Sequence, residues 1–446
     1  MSEKKNLRAV ILAVAALILA AALFGLLYHF DNKYNTSLEI SQDGAVQLPH
    51  LQNLDSSHSD IAYLVHGWKF YPDEIIYPGD EGEKAVEIYI GQHSSFSGLN
   101  SDSSPYGTGT YSLTVSGRGT YTMLIPEVFS ACAVYVDGEM VISSGSISPY
   151  KPYIKDLVFS FEADDEAEIL IQTANYSGYY SGITYPPAIG SSQAINRLIN
   201  LRTLFYGFLV FTSLCLSIFT AVIWYGTRKE RHSGENFYLG LMALSFSLWV
   251  CYPFVHTLGL SGGNIPYILE SAASALCLFC IARAVCLTCL KKGSLPDRII
   301  AGVTGGFVIT SLVFTIWMVK YLPDFVPVYG KIIYYYKAAL AIAMTVLLIR
   351  RFIMEKSGHI IFLLTGLLIY CISLIYHAMY LGRYEPAYTG WFEEWGTFIL
   401  ILCFAVRMAL RNMEIIRENR HLNRNLQEEV QQKTQSLSKL LEENAF

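Results

Sequence analysis

The pattern of hydrophobic and polar positions divides the chain into two regions. Beyond residue 203, apolar segments of spanning length recur, because about 20 apolar residues in a helix cross a hydrocarbon core of about 30 Å. These segments are 204–225, 236–257, 267–289, 299–320, 332–350, 359–380 and 391–411. Between residues 31 and 190 the apolar runs are shorter, and several alternate with polar residues as half-buried strands do. The pattern predicts a multi-domain membrane protein in which an all-β domain precedes an all-α seven-transmembrane domain at 204–411.

The first 30 residues predict a further membrane helix. Lys4, Lys5 and Arg8 precede about 20 apolar residues, a run longer than the core of about 7–15 residues in a secretory signal peptide. We interpret 1–30 as an uncleaved signal anchor, and a cleaved signal peptide is the alternative. In either case the residues that follow are expected outside the membrane.

Residues 31–190 are predicted to form an extracytoplasmic sensor domain. “EILIQ” (168–172) alternates as a half-buried strand does. In “AVYVDGEMVI” (133–142) the pair Asp137-Gly138 lies between two strand-like runs, which is typical of a tight hairpin turn with positive φ at both positions. Many short strands about 8–12 residues apart, rich in Thr, Tyr and Val, predict a jelly-roll-like β-sandwich.

The charges of the loops orient the predicted spans. “GTRKERHSGE” (226–235), “LKKGSLPDR” (290–298) and “RRFIMEKSG” (350–358) are rich in Lys and Arg, whereas the three alternate loops are poor in them. Because basic loops stay on the cytoplasmic side, residues 31–203, including a juxtamembrane linker at 191–203, are predicted outside the plasma membrane and the C-terminus inside. Residues 31–203 hold 21 acidic and 8 basic residues, a net charge of −13, against −5 for the whole chain.

Residues 412–446 are predicted to form a cytoplasmic coiled-coil signalling helix. Apolar residues recur there at intervals near 3.5, with a run of four-residue steps that is typical of a stutter. They include Leu422, Leu426, Val430 and Leu437. Residues 406–426 contain no Pro or Gly, so the helix is expected to continue from the seventh span. We expect a homodimer through 412–446, with the membrane bundle adding to its stability.

Several segments resemble the bacterial seven-transmembrane receptors with diverse intracellular signalling modules. They are “GWKFYPDEIIYPGD” (67–80), “YTMLIPEVFSACAVYVDGEMVISSG” (121–145), “EILIQTANYSGYYSGITYPPAIG” (168–190) and “NRHLNRNLQEEVQQKTQSL” (419–437). The resemblance implies a receptor that passes an extracellular signal to an output module, either a histidine kinase of a two-component system or a diguanylate cyclase. These residues hold no phosphoacceptor helix and no Gly-Gly-Asp-Glu-Phe signature, so no catalytic residue, enzymatic activity or cofactor is credited to them.

The loop “NYSGYYSGITYPP” (175–187) is the candidate ligand site. Aromatic faces stack on the C–H faces of a sugar while an amide binds its hydroxyls, so a carbohydrate-like or other small ligand is predicted. The candidate contacts are Trp68, Asn175, Tyr176, Tyr179, Tyr180 and Tyr185. The alternative is that the loop packs its tyrosines onto the sandwich or the bundle, and that Trp68 belongs to the core.

Charged residues near the ends of the spans are candidates for signal coupling. Lys337 lies near the outer end of the fifth span, and Glu393 and Glu394 begin the seventh. Because ionisable side chains in a membrane are costly unless they are paired, a Lys337–Glu393 or Lys337–Glu394 ion pair is predicted at the outer mouth of the bundle.

Other functions find less support in the sequence. Cys277, Cys280, Cys286 and Cys289 form a CxxC…CxxC string, but a straight helix spreads the four thiols over about 18 Å, too far for one tetrahedral zinc site. No metal site is therefore predicted. No nucleic-acid partner is predicted either. The segment 391–411 contains no lysine for a retinal Schiff base. A membrane binding or transport protein, whose coiled coil serves only for assembly, is the alternative function.

Overall fold

The computed structural model describes residues 2–443 with several gaps. The gaps are 36–37, 42–43, 49–60, 101–103, 130, 179, 230–232, 261–264, 323–324, 356–357, 380–382 and 386. Over the described residues the chain begins with one helix, continues into a sheet domain, and ends with a bundle of helices. We call the described part of residues 31–190 the β-domain.

The described strands of the β-domain pair into one sheet. They are β1 (Val46–Gln47), β2 (Ile61–Tyr63), β3 (Trp68–Pro72), β4 (Val86–Ile88), β5 (Gly107–Ile125), β6 (Ala131–Val136), β7 (Glu139–Ser144), β8 (Leu157–Asn175) and β9 (Ala188–Gly190). Their order is β2-β9-β5-β8-β6-β7, with β1 and β3 also on β5 and with β4 on β3. All pairs are antiparallel except β1 with β5. The antiparallel β-region is thus present, and the jelly-roll arrangement stays a prediction.

Two long strands form the centre of the β-domain. β5 and β8 pair along their whole length, from Gly107 opposite Asn175 to Ile125 opposite Leu157. Alternate side chains on these strands, such as Leu113 and Ile169, enter the hydrophobic core, because successive residues of a strand point to opposite faces. Asp137 and Gly138 have φ values of 48° and 86° and join β6 to β7, which confirms the predicted hairpin.

The helices begin at the N-terminus and resume after the β-domain. They are α1 (Ser2–Phe30), α2 (Ser192–Thr227), α3 (Ser233–Trp249), α4 (Tyr252–Thr257), α5 (Ile265–Cys289), α6 (Leu295–Val313), α7 (Val319–Tyr321), α8 (Val326–Glu355), α9 (Gly358–Met379) and α10 (Phe392–Glu443). A π-helical stretch, Phe314–Met318, joins α6 to α7. The bundle core includes Phe246 of α3, Cys277 of α5 and Ile401 of α10.

Seven helices in the described part of the chain are long and apolar enough to cross a membrane, by length and composition. They are Val10–Phe30, Ser192–Thr227, Ser233–Thr257, Ile265–Cys289, Leu295–Trp317, Val328–Met354 and Ile360–Met379. Six correspond to predicted spans and the other lies in α1. The predicted seventh span, 391–411, is helical as the first part of α10 but is not among the seven. It carries Glu393, Glu394, Arg407 and Arg411, which reduce its hydrophobicity.

α1 packs against the bundle through its second half. Phe24 lies 5.3 Å from Phe392 and 6.1 Å from Tyr376, measured between ring centroids. The Tyr376 hydroxyl donates a hydrogen bond of 3.1 Å to the Ala21 carbonyl. The N-terminal helix thus contacts both α9 and the first residue of α10.

α10 is a single unbroken helix of 52 residues, which confirms the predicted continuity between residues 391–411 and the segment that follows. The side chains of Leu422, Leu426, Val430 and Leu437 are exposed in this single chain. Their pairing with a second copy in a coiled coil stays a prediction.

Small residues allow α9 and α10 to approach closely, and one of them gives a test of this packing. A Cβ atom at Gly396 would lie 2.7 Å from the Ser373 Cβ and 3.2 Å from the Tyr370 Cα. We therefore expect Gly396→Ala to destabilise the protein by about 1–3 kcal/mol through overpacking, measured by thermal unfolding of the full chain in detergent.

Gly306→Ala is the matched control, because a Cβ at Gly306 of α6 meets no atom within 4 Å. Alanine is the better helix former, so this variant should be as stable as the parent or more so. Equal unfolding temperatures for Gly396→Ala and the parent would contradict the close α9–α10 contact.

Candidate functional site at the contact between the β-domain and the helices

The most distinctive polar feature of the structure is a buried carboxylate, Glu385, in the connection between α9 and α10. Its Oε2 atom lies 2.9 Å from Lys33 Nζ and its Oε1 atom 2.9 Å from Arg202 Nη2. The Glu385 side chain is fully buried, and its backbone has the unusual φ of 39°, a conformation that costs free energy in a non-glycine residue. Two distant parts of the chain therefore converge on one side chain.

Further hydrogen bonds join the segment after α1 to the connection before α10. Asp31 Oδ2 accepts hydrogen bonds of 3.0 Å from both the backbone amide and the hydroxyl of Thr389. The Tyr34 hydroxyl donates to the Tyr384 carbonyl at 2.9 Å and accepts from the Tyr384 amide at 2.8 Å. These contacts hold the short segment that carries Lys33, which lies between Asp31 and Tyr34, against the connection that carries Glu385.

Two tyrosines continue this network to the first turn of α10. The hydroxyls of Tyr206 and Tyr252 lie 2.7 Å apart, and the Tyr206 hydroxyl donates to Glu394 Oε2 at 2.8 Å. Tyr252 also lies 3.4 Å from Glu385 Oε1. A phenol has one hydrogen, so when Tyr206 donates to Glu394, Tyr252 donates either to Tyr206 or to Glu385. A series of polar contacts thus links Glu385 with Glu394, and the two phenol hydrogens fill two of its three contacts at a time.

The neighbouring carboxylate on α10, Glu393, belongs to a second ion pair. Lys337 Nζ lies 2.8 Å from the Glu393 carboxylate, and the Tyr370 hydroxyl donates to Glu393 Oε1 at 3.4 Å. Of the two pairs predicted for Lys337, the structure contains the one with Glu393, whereas Glu394 accepts from Tyr206. Whether these residues couple a signal stays a prediction.

A separate acidic contact joins the β-domain to α4 and α5. Asp156 Oδ1 accepts from the Glu127 amide at 3.2 Å, and its Oδ2 accepts from the Thr257 hydroxyl at 2.8 Å. Glu127 Oε2 accepts from the Tyr267 hydroxyl at 3.3 Å and lies 3.9 Å from His256 Nε2. The described turns around residues 127 and 156 therefore dock onto the helices through carboxylates.

Burial is the main cause of the pKa shifts of Glu127, Asp156 and Lys33 at this contact. It raises the pKa of Glu127 well above its ordinary value, and the negative charge of Asp156 adds to the shift. Burial likewise raises the pKa of Asp156, while Thr257 opposes that shift by donating a hydrogen bond. Burial lowers the pKa of Lys33, and the negative charge of Glu385 opposes the change.

The aromatic loop predicted as a ligand site contributes to the same contact. Tyr180 has its ring centroid 5.1 Å from that of Phe129, 6.1 Å from Tyr267 and 5.7 Å from Tyr384. Tyr185 is buried, with its ring 5.1 Å from Tyr384. The rings of Tyr180 and Tyr185 thus pack between the β-domain and the helices, as in the packing alternative.

The other candidate ligand residues differ in their surroundings. Trp68 is 1% exposed and donates from its indole nitrogen to the Leu64 carbonyl at 2.9 Å. Asn175 is buried and donates from its amide to the carbonyls of Pro105 and Gly178. Tyr176 is 52% exposed, and Tyr179 lies outside the described residues. Trp68 and Asn175 thus occupy structural positions, and ligand contact through this loop stays a prediction.

The contact between the β-domain and the helices contains a cavity that is too small for a sugar. The cavity measures about 30 Å³ and is lined by Lys33, Asp156, Arg202 and Tyr388, among others. One or two water molecules fill a space of that size. The charged contact is therefore suited to holding the β-domain against the helices rather than to enclosing a sugar.

The opposite end of the bundle holds α10 through a second set of charges. Glu235 Oε2 at the start of α3 lies 2.7 Å from Arg411 Nη1 and 3.3 Å from Arg407 Nη1. Arg407 also donates to the Thr288 hydroxyl of α5 at 2.7 Å. Within the described residues, no group of three or more His, Cys, Asp or Glu side chains is placed to hold a metal ion.

Sequence reasoning missed Glu385, Arg202, Lys33 and the two tyrosines. Isolated charges beside apolar segments were the available signal, since Glu385 lies in a predicted outer loop and Arg202 just before the first predicted span. The partners are 183 and 352 residues apart in the chain, so no local pattern identifies them.

Comparisons with known proteins do not identify a family. No protein-family model and no curated protein matches the chain. A GH2 β-galacturonidase from Eisenbergiella tayi bound to glycerol is 18% identical over 29% of this chain and 24% of its own, with a TM-score of 0.23. A glycosyl hydrolase family 2 member from Bacteroides cellulosilyticus is 14% identical over 29% and 20%, with a TM-score of 0.24. The chain spans about a quarter or less of these structures, and scores this low support no conclusion.

Glu385 offers a direct test of the buried charged contact. In Glu385→Gln the cations Lys33 and Arg202 remain buried without their counter-charge, and breaking a buried pair in this way costs about 3–5 kcal/mol. We expect a lower unfolding temperature of the full chain in detergent. Glu418→Gln, at an exposed position of α10, is the control and should leave the temperature unchanged. Equal stability of Glu385→Gln and the parent would contradict the role of this contact.

The raised pKa of Glu127 predicts a pH-dependent effect of Glu127→Gln. The folded chain holds a proton that the unfolded chain releases, so the stability contributed by the neutral form is present below about pH 4.5 and is lost as the pH rises toward the folded pKa. The variant should therefore gain stability over the parent by up to about 1.4 kcal/mol per pH unit across that window.

Unfolding temperatures of both proteins, measured in detergent from about pH 5 to 8, give this difference. Glu139→Gln, at an exposed position of β7, is the matched control. A difference between Glu127→Gln and the parent that stays constant with pH would show that Glu127 ionises equally in the folded and unfolded chain.

Proposed function

We propose that this protein is a bacterial membrane receptor whose β-domain binds an extracellular ligand and whose helices pass the signal to a cytoplasmic output module. The observation that carries the proposal is the series of ion pairs and polar contacts from Lys33 and Arg202, through Glu385, Tyr252 and Tyr206, to Glu394. This series joins the start of the β-domain, through Lys33, and helix α2, through Arg202, to the first turn of the longest described helix.

Two adjacent carboxylates give α10 a means of responding. Consecutive residues on a helix point about 100° apart, and accordingly Glu393 meets Lys337 of α8 while Glu394 meets Tyr206 of α2. The first turn of α10 is thus held to two different helices, and we propose that a shift of the β-domain changes the balance between these two contacts. Such an arrangement suits a bistable element that small biases shift.

The rest of α10 supplies a route for the response. The helix has no break between Glu394 and the exposed apolar positions Leu422 and Leu437. At about 1.5 Å per residue its 52 residues extend about 78 Å. We propose that residues 412–446 pair with a second copy as a coiled coil, and that a rotation of α10 changes this pairing.

The remaining parts of the proposal come from the sequence. The basic loops orient the β-domain outside the plasma membrane and the C-terminus in the cytoplasm. The resemblance to bacterial seven-transmembrane receptors suggests a histidine kinase of a two-component system as the output module.

Disulfide cross-linking tests the proposal. We expect Leu422→Cys and Leu437→Cys to cross-link between two copies in membrane vesicles, because both positions lie on the apolar stripe of α10. Arg424→Cys, on another face of the same helix, should cross-link poorly. The parent chain, which has nine native cysteines, gives the background.

Signal coupling is then tested by removing one hydroxyl. Tyr206→Phe keeps the ring but breaks the bonds to Tyr252 and Glu394, so we expect the ratio of cross-linking at positions 422 and 437 to change by about twofold or more. Tyr225→Phe, at an exposed position of the same helix, should leave the ratio unchanged. A dimer that is insensitive to Tyr206→Phe would favour assembly alone, and absence of a dimer would overturn the proposal.

A further inference from the structure

A cleft on the polar face of the sheet contains none of the charged residues that contact the helices. It measures about 190 Å³. Its lining includes three tyrosines, two carboxylates and one hydroxyl: Tyr71, Tyr77, Tyr135, Asp80, Glu168 and Ser112. No motif in the sequence indicated this cleft, because its residues come from four strands, one loop and the turn between β6 and β7.

The floor of the cleft is a row of side chains across the sheet. Ser112 of β5 is opposite Leu170 of β8, and Leu170 is opposite Tyr135 of β6, so all three point to the same face. Glu168 precedes Leu170 by two residues and shares that face. The intervening residue, Ile169, enters the hydrophobic core on the other side.

Hydrogen bonds from the sheet hold a loop against this face as the wall of the cleft. The Thr110 hydroxyl donates to the Glu74 carbonyl at 2.7 Å and accepts from the Ile76 amide at 3.0 Å. The Gln172 amide donates to the Ile76 carbonyl at 2.8 Å. Because both donors belong to buried side chains of central strands, the position of the wall is fixed.

A tight turn then places Tyr77 and Asp80 at the rim. The Asp80 amide donates to the Tyr77 carbonyl at 3.0 Å, and Gly79 between them has a φ of 88°. Pro78 followed by a glycine with positive φ is typical of a type II turn. The site is thus built from ordered backbone, with a ring and a carboxylate on the same turn.

The chemistry of the lining selects for positive charge. Electron-rich phenol faces attract cations, and Asp80 and Glu168 add two negative charges. None of the residues lining the cleft is basic. Lys69, which is opposite Ser112 on the neighbouring strand, is not part of the lining. The net charge of −13 over residues 31–203 would also concentrate cations near this surface.

We propose that the cleft binds a small organic cation, a compound with a primary or quaternary ammonium group. The ammonium group lies among the tyrosine rings, and the carboxylates of Asp80 and Glu168 neutralise its charge. Sites for drug-sized ligands measure roughly 300–1,000 Å³, so the ligand of this cleft is smaller. The idea that this cation is the signal of a receptor rests on the proposed function. The idea that the cleft binds the cation does not depend on that function.

Calorimetric titration of the full chain in a neutral detergent tests the site. The probes are ethanolamine, choline and 3,3-dimethylbutan-1-ol, which has the shape of choline without its charge. We expect the two cations to bind about tenfold more tightly than the neutral compound, and choline binding to weaken as the salt concentration rises. Glucose is included because a sugar is the other ligand class predicted for this domain.

Substitutions of the lining residues test whether choline binds in this cleft. Glu168→Gln and Asp80→Asn each remove one charge at almost constant size, and each should weaken choline binding about tenfold. Glu162→Gln removes a charge from an exposed position of the same strand, β8, and should leave the affinity unchanged. Tyr77→Ala should weaken choline and ethanolamine more than 3,3-dimethylbutan-1-ol, because the ring acts on the charge.

The results separate the site from the receptor function. No binding of either cation at millimolar concentration, or equal binding of the neutral compound, overturns the proposed site, and tighter binding of glucose does so in favour of a carbohydrate. Choline binding that depends on Glu168 but leaves cross-linking at positions 422 and 437 unchanged supports the cleft and counts against the receptor. An effect of Tyr206→Phe on cross-linking without any cation binding supports the receptor and counts against the cleft.

Discussion

The structure depends on the cost of burying one carboxylate. Glu385 is removed from solvent in a connection between two helices, where an isolated negative charge would be prohibitively unfavourable. Lys33 and Arg202 compensate that cost; Lys33 lies at the start of the β-domain, and Arg202 lies in α2, the helix that follows the domain. The Lys33–Glu385 ion pair therefore helps to hold the β-domain against the helices, because Lys33 belongs to the domain whereas Glu385 and Arg202 belong to the helical part. The tyrosines around residues 180 and 267 fill the remaining space beside this charged centre.

Beyond this charged centre, further contacts hold α10 to its neighbours at two positions along the bundle. Glu393 and Glu394 hold its first turn to two different helices, while Arg407 and Arg411 hold a point four to five turns further on to Glu235. Small residues in between, such as Gly396, allow tight packing on α9. Polar contacts thus fix the orientation of the helix at two levels, and apolar packing fixes its distance from its neighbour.

Local patterns predicted the local features well. The Asp137-Gly138 turn and the unbroken helix through 406–426 follow from backbone preferences of neighbouring residues, and the Lys337–Glu393 pair follows from the need of membrane charges for partners. The Glu385 network could not be predicted, because its members are up to 352 residues apart. The role of the aromatic loop was harder to predict, because a loop that binds a ligand and a loop that packs internally can have the same tyrosine-rich sequence, as around Tyr180 and Tyr185. The cleft at Glu168 depends on strand register, which alternation alone does not reveal.

If the contacts at the first turn of α10 loosened, the contacts with Glu235 would become the fulcrum of a lever. The fulcrum is the contact of Arg407 and Arg411 with Glu235, about 22 Å from Glu394 and about 51 Å from the end of the helix, at about 1.5 Å per residue. A straight helix pivoting there multiplies a sideways displacement of Glu394 by more than twofold at its far end, and in the opposite direction. Under the proposed receptor function, sub-ångström adjustments beside the β-domain would become movements of ångström size at the far end of α10.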